Sequence, residues 1–246
     1  MDVNIAITWL DFIQLGIAMI GAIGTFILIY KSIKRKFAKP MLKCVANNKL
    51  TLHYDATGIG AYFILTVISK NCDCTITDIA VEVFKGKEKD SKIYSMKWNL
   101  LASVHKKTTH MDWGLSSTDR ETMQPCPLYL VQDRPVSYGI FFDNEELYKE
   151  FQSALQQYET LGKDKVNNTL LTKFSYQEGF HLFDVILTDI NGKKERFPHS
   201  FTFDKLEKER LLNNVTFICE NREKELKNVT DKQPYNSVTV DLKREE

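Results

Sequence analysis

The chain has 246 residues, 33 lysines and arginines against 32 acids, 43% hydrophobic residues and a mean hydropathy of −0.29. That balance excludes a disordered, collagen-like or multi-span membrane protein, and a net charge of +1 leaves nucleic acid outside the expected partners. Five cysteines, odd in number and unevenly spaced, do not form a disulfide scaffold and suit a reducing compartment.

The first element is apolar. Residues 12–30, FIQLGIAMIGAIGTFILIY, contain no charge. As a helix, nineteen residues span about 28 Å, close to the ~30 Å hydrocarbon core of a bilayer. The preceding residues 1–11 carry Asp2 and Asp11 and no base, unlike the basic start of a cleaved signal peptide, and no small-residue cleavage site follows. An uncleaved transmembrane helix is therefore predicted. The next segment, 31–39, carries Lys31, Lys34, Arg35, Lys36 and Lys39. Positive charge marks the cytoplasmic side, so a short N-terminus outside and a cytoplasmic body are expected, on a single-pass inner (plasma) membrane protein. These bases also suit anionic headgroups. Within the helix, Gly16, Ala18, Gly21, Ala22 and Thr25 are candidates for close helix–helix contact and homo-oligomerisation.

After Pro40 the apolar period changes to two, and strands are predicted. Met41–Ala46 and Lys49–Tyr54 flank Asn47-Asn48, a turn pair. Ala61–Ser69 is apolar on both faces, as a central strand would be. In Thr75–Phe84, Ile79, Val81 and Val83 fall on one face and Asp78 and Glu82 on the other. Ile93–Trp98 forms a shorter strand, and Leu128–Val131 with Val136–Phe142 reads as a hairpin. Asp143-Asn144-Glu145-Glu146 has the form of a capping box opening a helix over 145–160, with Leu147, Phe151, Leu155 and Tyr158 on one face and Gly162 as its stop. Phe183–Ile190 and Lys193–Phe197 flank Asn191-Gly192, the signature of a type I′ hairpin. A second helix is expected near 205–215, started by Asp204 with Glu207 at the capping-box offset. Residues 220–246 carry seven acids and six bases and read as a charged tail, with Ser237–Leu242 as a candidate edge strand.

The fold class expected is mainly β: one N-terminal transmembrane helix, then an antiparallel immunoglobulin-like sandwich over 40–219 with one or two inserted helices. The order of anchor, basic stop, YFILTVISKNCDCTITDIAVEV, a Pro-Leu-x-Leu strand (Pro127–Leu130), an aromatic-ending strand (Tyr138–Phe142) and a late Asn-Gly-Lys-Lys hairpin resembles poorly characterised bacterial membrane-anchored proteins with an immunoglobulin-like cytoplasmic sandwich. The resemblance spans Tyr62–Phe197 and implies a fold. It carries over no catalytic residue, and the inserts at 99–125 and 143–179 depart from a minimal sandwich.

No G-x-S-x-G, H-E-x-x-H, Walker A or EF-hand motif occurs. Cys72-Asp73-Cys74 offers two thiols and a carboxylate, the weak candidates for a metal, against a plain turn between strands. Asn99–Pro125 is long for a connection and holds His105, His110 and Trp113, candidate ligand or partner contacts. Lys193, Lys194 and Arg196 form a basic patch beside the Asn-Gly turn. His181 shares a strand face with Phe183, Val185 and Leu187, which predicts a core histidine. Asn167, Asn214 and Asn228 match the glycosylation pattern, without meaning on a cytoplasmic domain. No cofactor is implied. The function expected is a non-enzymatic, membrane-tethered interaction module with the bilayer and an unidentified protein as partners. The alternative is a membrane-anchored small-ligand or nucleotide sensor, as in bacterial immunity, and a hydrolase built on 99–125 is the least favoured reading.

Overall fold

A computed structural model of the protein describes residues 9–86, 91–103 and 122–245. Helix α1 runs from Trp9 to Phe37. Within it, Phe12–Ile33 is long and apolar enough to cross a membrane, and no part of that stretch is buried by the rest of the chain. An apolar helix of a soluble core would be covered by its own protein.

The body is one antiparallel sheet. Its strands are β1 (Met41–Ala46), β2 (Lys49–Asp55), β3 (Gly58–Lys70), β4 (Cys74–Lys85), β5 (Lys92–Ser103), β6 (Thr122–Met123), β7 (Leu128–Leu130), β8 (Val136–Asp143), β9 (Gly179–Asp189), β10 (Lys194–Phe203), β11 (Ser237–Asp241) and β12 (Lys243–Arg244). Hydrogen bonding follows the order β11-β2-β3-β8-β5-β4-β9-β10-β12. The two ends of that order are consecutive in the chain, because β11 lies on β2 and β12 lies on β10. Leu242 N donates to Asn48 O at 2.9 Å and Glu245 N to Pro198 O at 3.1 Å, so the last strand bridges the two edges. The sheet thus curls onto itself like a barrel, and the expected two-sheet immunoglobulin-like sandwich is not what forms.

Three irregularities assist the curl. β1 and β2 are not a hairpin; both run antiparallel along β3, β1 on Leu65–Lys70 and β2 on Gly58–Tyr62, with Asn47-Asn48 between them as a bulge. The register also shifts at Thr77 between β4 and β9, and at Asn99 between β5 and β8. Bulges bend a strand and increase its twist, which a flat sandwich face does not need. Each bulge also resets the alternation, so Ile76 and Ile79, and likewise Trp98 and Leu101, are all buried.

The interior is filled. Phe63 stacks on Phe142 with centroids 5.3 Å apart and meets Phe183 edge-on at 5.3 Å. Leu65, Val81, Val83, Met96, Ile140 and Leu187 are all buried in the same cluster. This alternation of buried and outward residues is the one read from the sequence, including Leu50, Leu52 and Tyr54 on β2.

Helices α2 (Glu145–Gln156), α3 (Tyr158–Leu161), α4 (Lys163–Thr172) and α5 (Lys205–Leu226) connect strands at one end. Asn144, not a capping box, starts α2 by accepting from Leu147 N at 2.9 Å. Leu147, Phe151, Leu155 and Tyr158 are buried as expected, but the helix breaks at Gln157, and beyond Gly162 the chain turns into α4. Asp204 and Glu207 do form the expected capping box. α5 then continues to Leu226, beyond the expected 205–215, because Leu211, Val215, Ile218 and Cys219 keep one face buried. Tyr54 meets Phe151 at 5.3 Å and Phe174 at 5.1 Å, and its hydroxyl donates to Leu170 O, which ties the helices to the barrel mouth.

Residues 220–246 do not behave as a charged tail. Asn214 takes the chain back to the barrel, its amide donating to Tyr54 O at 2.9 Å and Asn236 O at 2.7 Å, while its oxygen accepts from Asn236 N. Asn221 pairs in the same way with Gln233. Asn214, fully buried, is thus a structural staple.

Candidate functional site

The antiparallel register fixes which residues share each end of the barrel. Met41 pairs with Lys70, Cys74 with Leu130, and Ile76 with Asp189. The end next to α1 is therefore built from Pro40, the β3–β4 turn, the β7–β8 loop and the β9–β10 hairpin tip. The tether is pinned there: Cys72 Sγ donates to Ala38 O at 3.2 Å and Asn71 Nδ2 to Lys39 O at 3.4 Å. The β7–β8 loop locks onto the same turn through Gln132 N to Asp73 Oδ1 (2.8 Å), Asp133 N to Ser69 O (2.9 Å) and the Lys70–Asp133 ion pair (2.5 Å). Leu128–Val131 and Val136–Phe142 do not form the expected hairpin, since β7 pairs with β4 while β8 lies between β3 and β5.

The β9–β10 tip also differs from the type I′ form. Gly192 has φ +77°, but Asn191 does not adopt positive φ. Asp189 Oδ1 accepts from Asn191 N at 2.8 Å and Lys193 N at 2.9 Å, and Gly192 N donates to Asp189 O. The buried carboxylate thus supports a three-residue loop, Ile190–Gly192, of the kind that ends in a left-handed glycine. Lys193 pairs with Glu195, and Lys194 has no acidic partner among the described residues. Arg196 stands apart on the barrel wall, 2.5 Å from Glu82 and 3.4 Å from the buried Asp184. The Arg196 and Lys92 cations outweigh burial and hold Glu82 below the usual carboxylate range. The basic patch therefore divides into a hairpin tip and a structural ion pair.

Among the other sequence candidates, Lys31 and Lys39 are exposed, and Lys34, Arg35 and Lys36 lie in α1 with side chains outside the described residues. Ala18, Gly21, Ala22 and Thr25 share one face of α1 by their 100° spacing, whereas Gly16 falls on the opposite face. Thr25 Oγ1 donates to Gly21 O at 2.9 Å. His105, His110 and Trp113 lie outside the described residues. Cys72 and Cys74 do not assemble a metal centre; no group of three His, Cys, Asp or Glu side chains suited to a metal occurs among the described residues. Burial pushes the Cys44 thiol up to about 12, the Cys219 thiol up to about 11 and the Cys74 thiol upward as well, which keeps all three protonated and poor nucleophiles.

The wall holds one polar constellation that sequence reading missed. His53 on β2 and Asp143 on β8 flank Gly60 on β3 in a single cross-strand row. Without a side chain at Gly60 they meet across it, His53 Nε2 lying 3.5 Å from Asp143 Oδ1. Asn99 Nδ2 donates to the other Asp143 oxygen. A Cβ at Gly60 would stand 2.1 Å from His53 Cε1 and 2.7 Å from Asp143 Oδ1. A groove of about 510 Å3 beside it is lined by Lys92, Lys97, Asp143 and Glu146. An oriented histidine can move protons, yet no serine, threonine or cysteine hydrogen-bonds either ring nitrogen of His53 among the described residues. The signal for this cluster was Gly60 inside an apolar strand, which marks a close approach.

His181 is a core histidine. It is fully buried, stacks on Phe201 at 5.0 Å, and binds Gly179 O through Nδ1 at 3.1 Å. His199 does the same with Phe197 O at 2.9 Å. Burial holds both below the ordinary histidine range. Another groove, about 590 Å3, is lined by Lys49, Phe201, Thr239, Asp241, Lys243 and Glu245.

No protein-family model and no curated protein matches this chain.

Proposed function

We propose that the chain is a membrane-tethered cytoplasmic interaction module, non-enzymatic, that oligomerises through the Ala18/Gly21/Ala22/Thr25 face of α1. The observation that carries this reading is the pairing of an apolar helix that its own protein leaves uncovered with a barrel only three residues beyond its end. The basic residues 31–39 favour the cytoplasm for the barrel. Tethering confines the search for a partner to the membrane surface and raises its effective concentration. The packed phenylalanine interior disfavours a ligand held in the barrel lumen, so the alternative, a small-ligand or nucleotide sensor, would have to use the outer grooves.

The test is alkaline extraction of membranes expressing the full chain, followed by crosslinking and pull-down in mild detergent. Retention in the membrane pellet with a crosslinked oligomer and a specific, reproducible partner is the expected result. A chain released by alkali, or one recovered only as a monomer with no partner, overturns the reading. A ligand-dependent thermal shift across a nucleotide panel would favour the sensor instead.

A further inference from the structure

We propose that the α1-proximal end of the barrel is itself a membrane-binding surface, in which Ile190 at the β9–β10 tip and Tyr129 on β7 enter the lipid interface while Lys39, Arg134 and Lys194 bind anionic headgroups. The proposal rests on α1 being a membrane anchor and adds a second contact made by the folded body.

Outside α1, Ile190 and Tyr129 are the two most exposed large apolar side chains among the described residues, at 67% and 62%. Both belong to the end where the chain leaves α1, and together with Pro40 and Asn191 they line a shallow hollow of about 200 Å3. Exposed apolar residues need no comment singly, but these two stand side by side where the topology brings the barrel against the bilayer. Val131, 37% exposed, continues the patch on the adjoining loop.

The tether sets the distance. Beyond Ile33 the helix runs to Phe37, adding about 6 Å, and three further residues reach Pro40 over at most about 10 Å. The headgroup layer is itself about 5–8 Å thick on each side. The hydrogen bonds from the β3–β4 turn to Ala38 O and Lys39 O shorten the usable reach further and hold that end towards α1.

The charges match an anionic leaflet. Among the described acids on this rim, Asp133 is paired with Lys70 and Glu195 with Lys193, while Asp73 and Asp189 keep their charge and are held by neutral donors, Tyr129 Oη and Gln132 N for the first and loop amides for the second. Lys39, Arg134 and Lys194 have no acidic partner among the described residues. An apolar residue at a loop tip flanked by free bases is the pattern of interfacial binding: the apolar group inserts and the cations hold phosphates. The tip is also rigid enough to insert, because Ile190 N donates to Thr75 O at 3.0 Å and Asp189 braces the loop.

The experiment uses the full chain in vesicles with and without anionic lipid. A photo-crosslinking benzoylphenylalanine replaces Ile190 or Tyr129 in turn. Leu206 on α5, 56% exposed at the opposite end, is the control position. Expected are lipid adducts at 190 and 129 and none above background at 206. Arg134→Glu with Lys194→Glu lowers the adduct at 190 by roughly thirtyfold in anionic vesicles, the scale of losing two headgroup contacts, with little change in zwitterionic ones. Protein retained in the membrane with no lipid adduct at 190 and 129, or with a protein adduct in its place, overturns the proposal and leaves the anchor intact. Adducts of equal yield at 206 overturn it too. Release by alkaline wash removes the anchor and this surface together.

Discussion

The two ends of the barrel are finished in opposite ways. The distal end is roofed by α2–α5, which bury Phe151, Leu155, Val166, Leu170, Leu211 and Val215 against Tyr54 and the sheet. Among the described residues the end next to α1 carries no helical roof and is closed by turns, and Ile190 and Tyr129 point outwards. The same strands supply both ends, so strand chemistry does not account for the difference. Among the described connections, 35 and 33 residues lie over the distal end, from Asn144 to Glu178 and from Asp204 to Asn236, against four between Asp189 and Lys194; residues 104–121, which join β5 to β6, lie outside the described residues. Under the proposed anchoring by α1, the bilayer is the surface nearest to the apolar side chains exposed at this end.

The sharpest break of that comparison is a large-to-small change under the roof. Phe151 is fully buried and meets Tyr54 edge-on. Phe151→Ala removes its burial and leaves a cavity, and is expected to cost about 3–5 kcal/mol. Thermal and urea unfolding of the detergent-solubilised chain measures it; a loss under about 1 kcal/mol would mean that the helices are not what closes the distal mouth.

Next in size is a change in the wall, remote from both ends. Gly60→Ala places a methyl into the space where His53 and Asp143 meet, and overpacking of this kind costs roughly 1–3 kcal/mol. The imidazole and carboxylate are the far ends of side chains that can swing away, so the lower part of that range is expected. His53→Ala in the Gly60→Ala background should recover part of the loss, and a double-mutant cycle reads the coupling. If the two effects simply add, His53 does not press on Gly60.

The histidines give a pH test within the core. His181 lies among Tyr176, Phe201 and Phe203, and His199 is on the same strand pair. Burial depresses both, so each stays neutral in the folded chain at a pH where the unfolded chain is already protonated. Their contribution to stability is complete above the unfolded value of about 6.5 and falls as pH drops below it, by at most ~1.4 kcal/mol per pH unit per histidine. The loss ends once pH passes the depressed folded value. His181→Phe is expected to flatten part of the slope between about pH 6.5 and 5. An unchanged slope in urea unfolding would show that other groups dominate.

How much of this was legible in sequence follows from how local each signal is. The apolar helix, the alternation of Leu50, Leu52 and Tyr54, the facing of Ile79, Val81 and Val83, and the Asp204–Glu207 box depend on neighbours within a few residues, and the structure carries all of them. Pairing partners are not local. Asn47-Asn48 reads as a turn until β3 proves long enough to hold both flanking strands. Asn191-Gly192 reads as type I′ until Asp189 captures two loop amides. Residues 220–246 look too polar to order, because each turn of α5 exposes charge, while the bonds that order the return, from Asn214 to Tyr54 O and Asn236 and from Asn221 to Gln233, join residues distant in the chain. Barrel closure depends on one strand touching β2 and β10 at once, a relation between residues about 190 apart at Lys49 and Asp241 and 45 apart at Ser200 and Glu245. For the site the limit is similar: His53, Asn99 and Asp143 are far apart in the chain, and only Gly60 hints that two side chains share its space.

The smallest expected effect is the most telling for the two ends. Ile190→Ser changes a side chain that packs on almost nothing, and its backbone amide keeps the bond to Thr75 O. Surface changes of this kind fall within about 0.5 kcal/mol, so the melting temperature in detergent should match the parent. Tyr129→Phe loses the bond to Asp73 and should likewise stay small, since both groups are exposed. A destabilisation by Ile190→Ser comparable to that of Phe151→Ala would mean that the α1-proximal end is a packed end like the other, held by contacts within the chain. A silent Ile190→Ser in detergent, together with a changed response in vesicles, would instead tie this residue to what lies beyond the barrel. That outcome would make the asymmetry between the ends one of partner, the distal mouth satisfied by its own helices and the proximal mouth by the proposed contact with the bilayer.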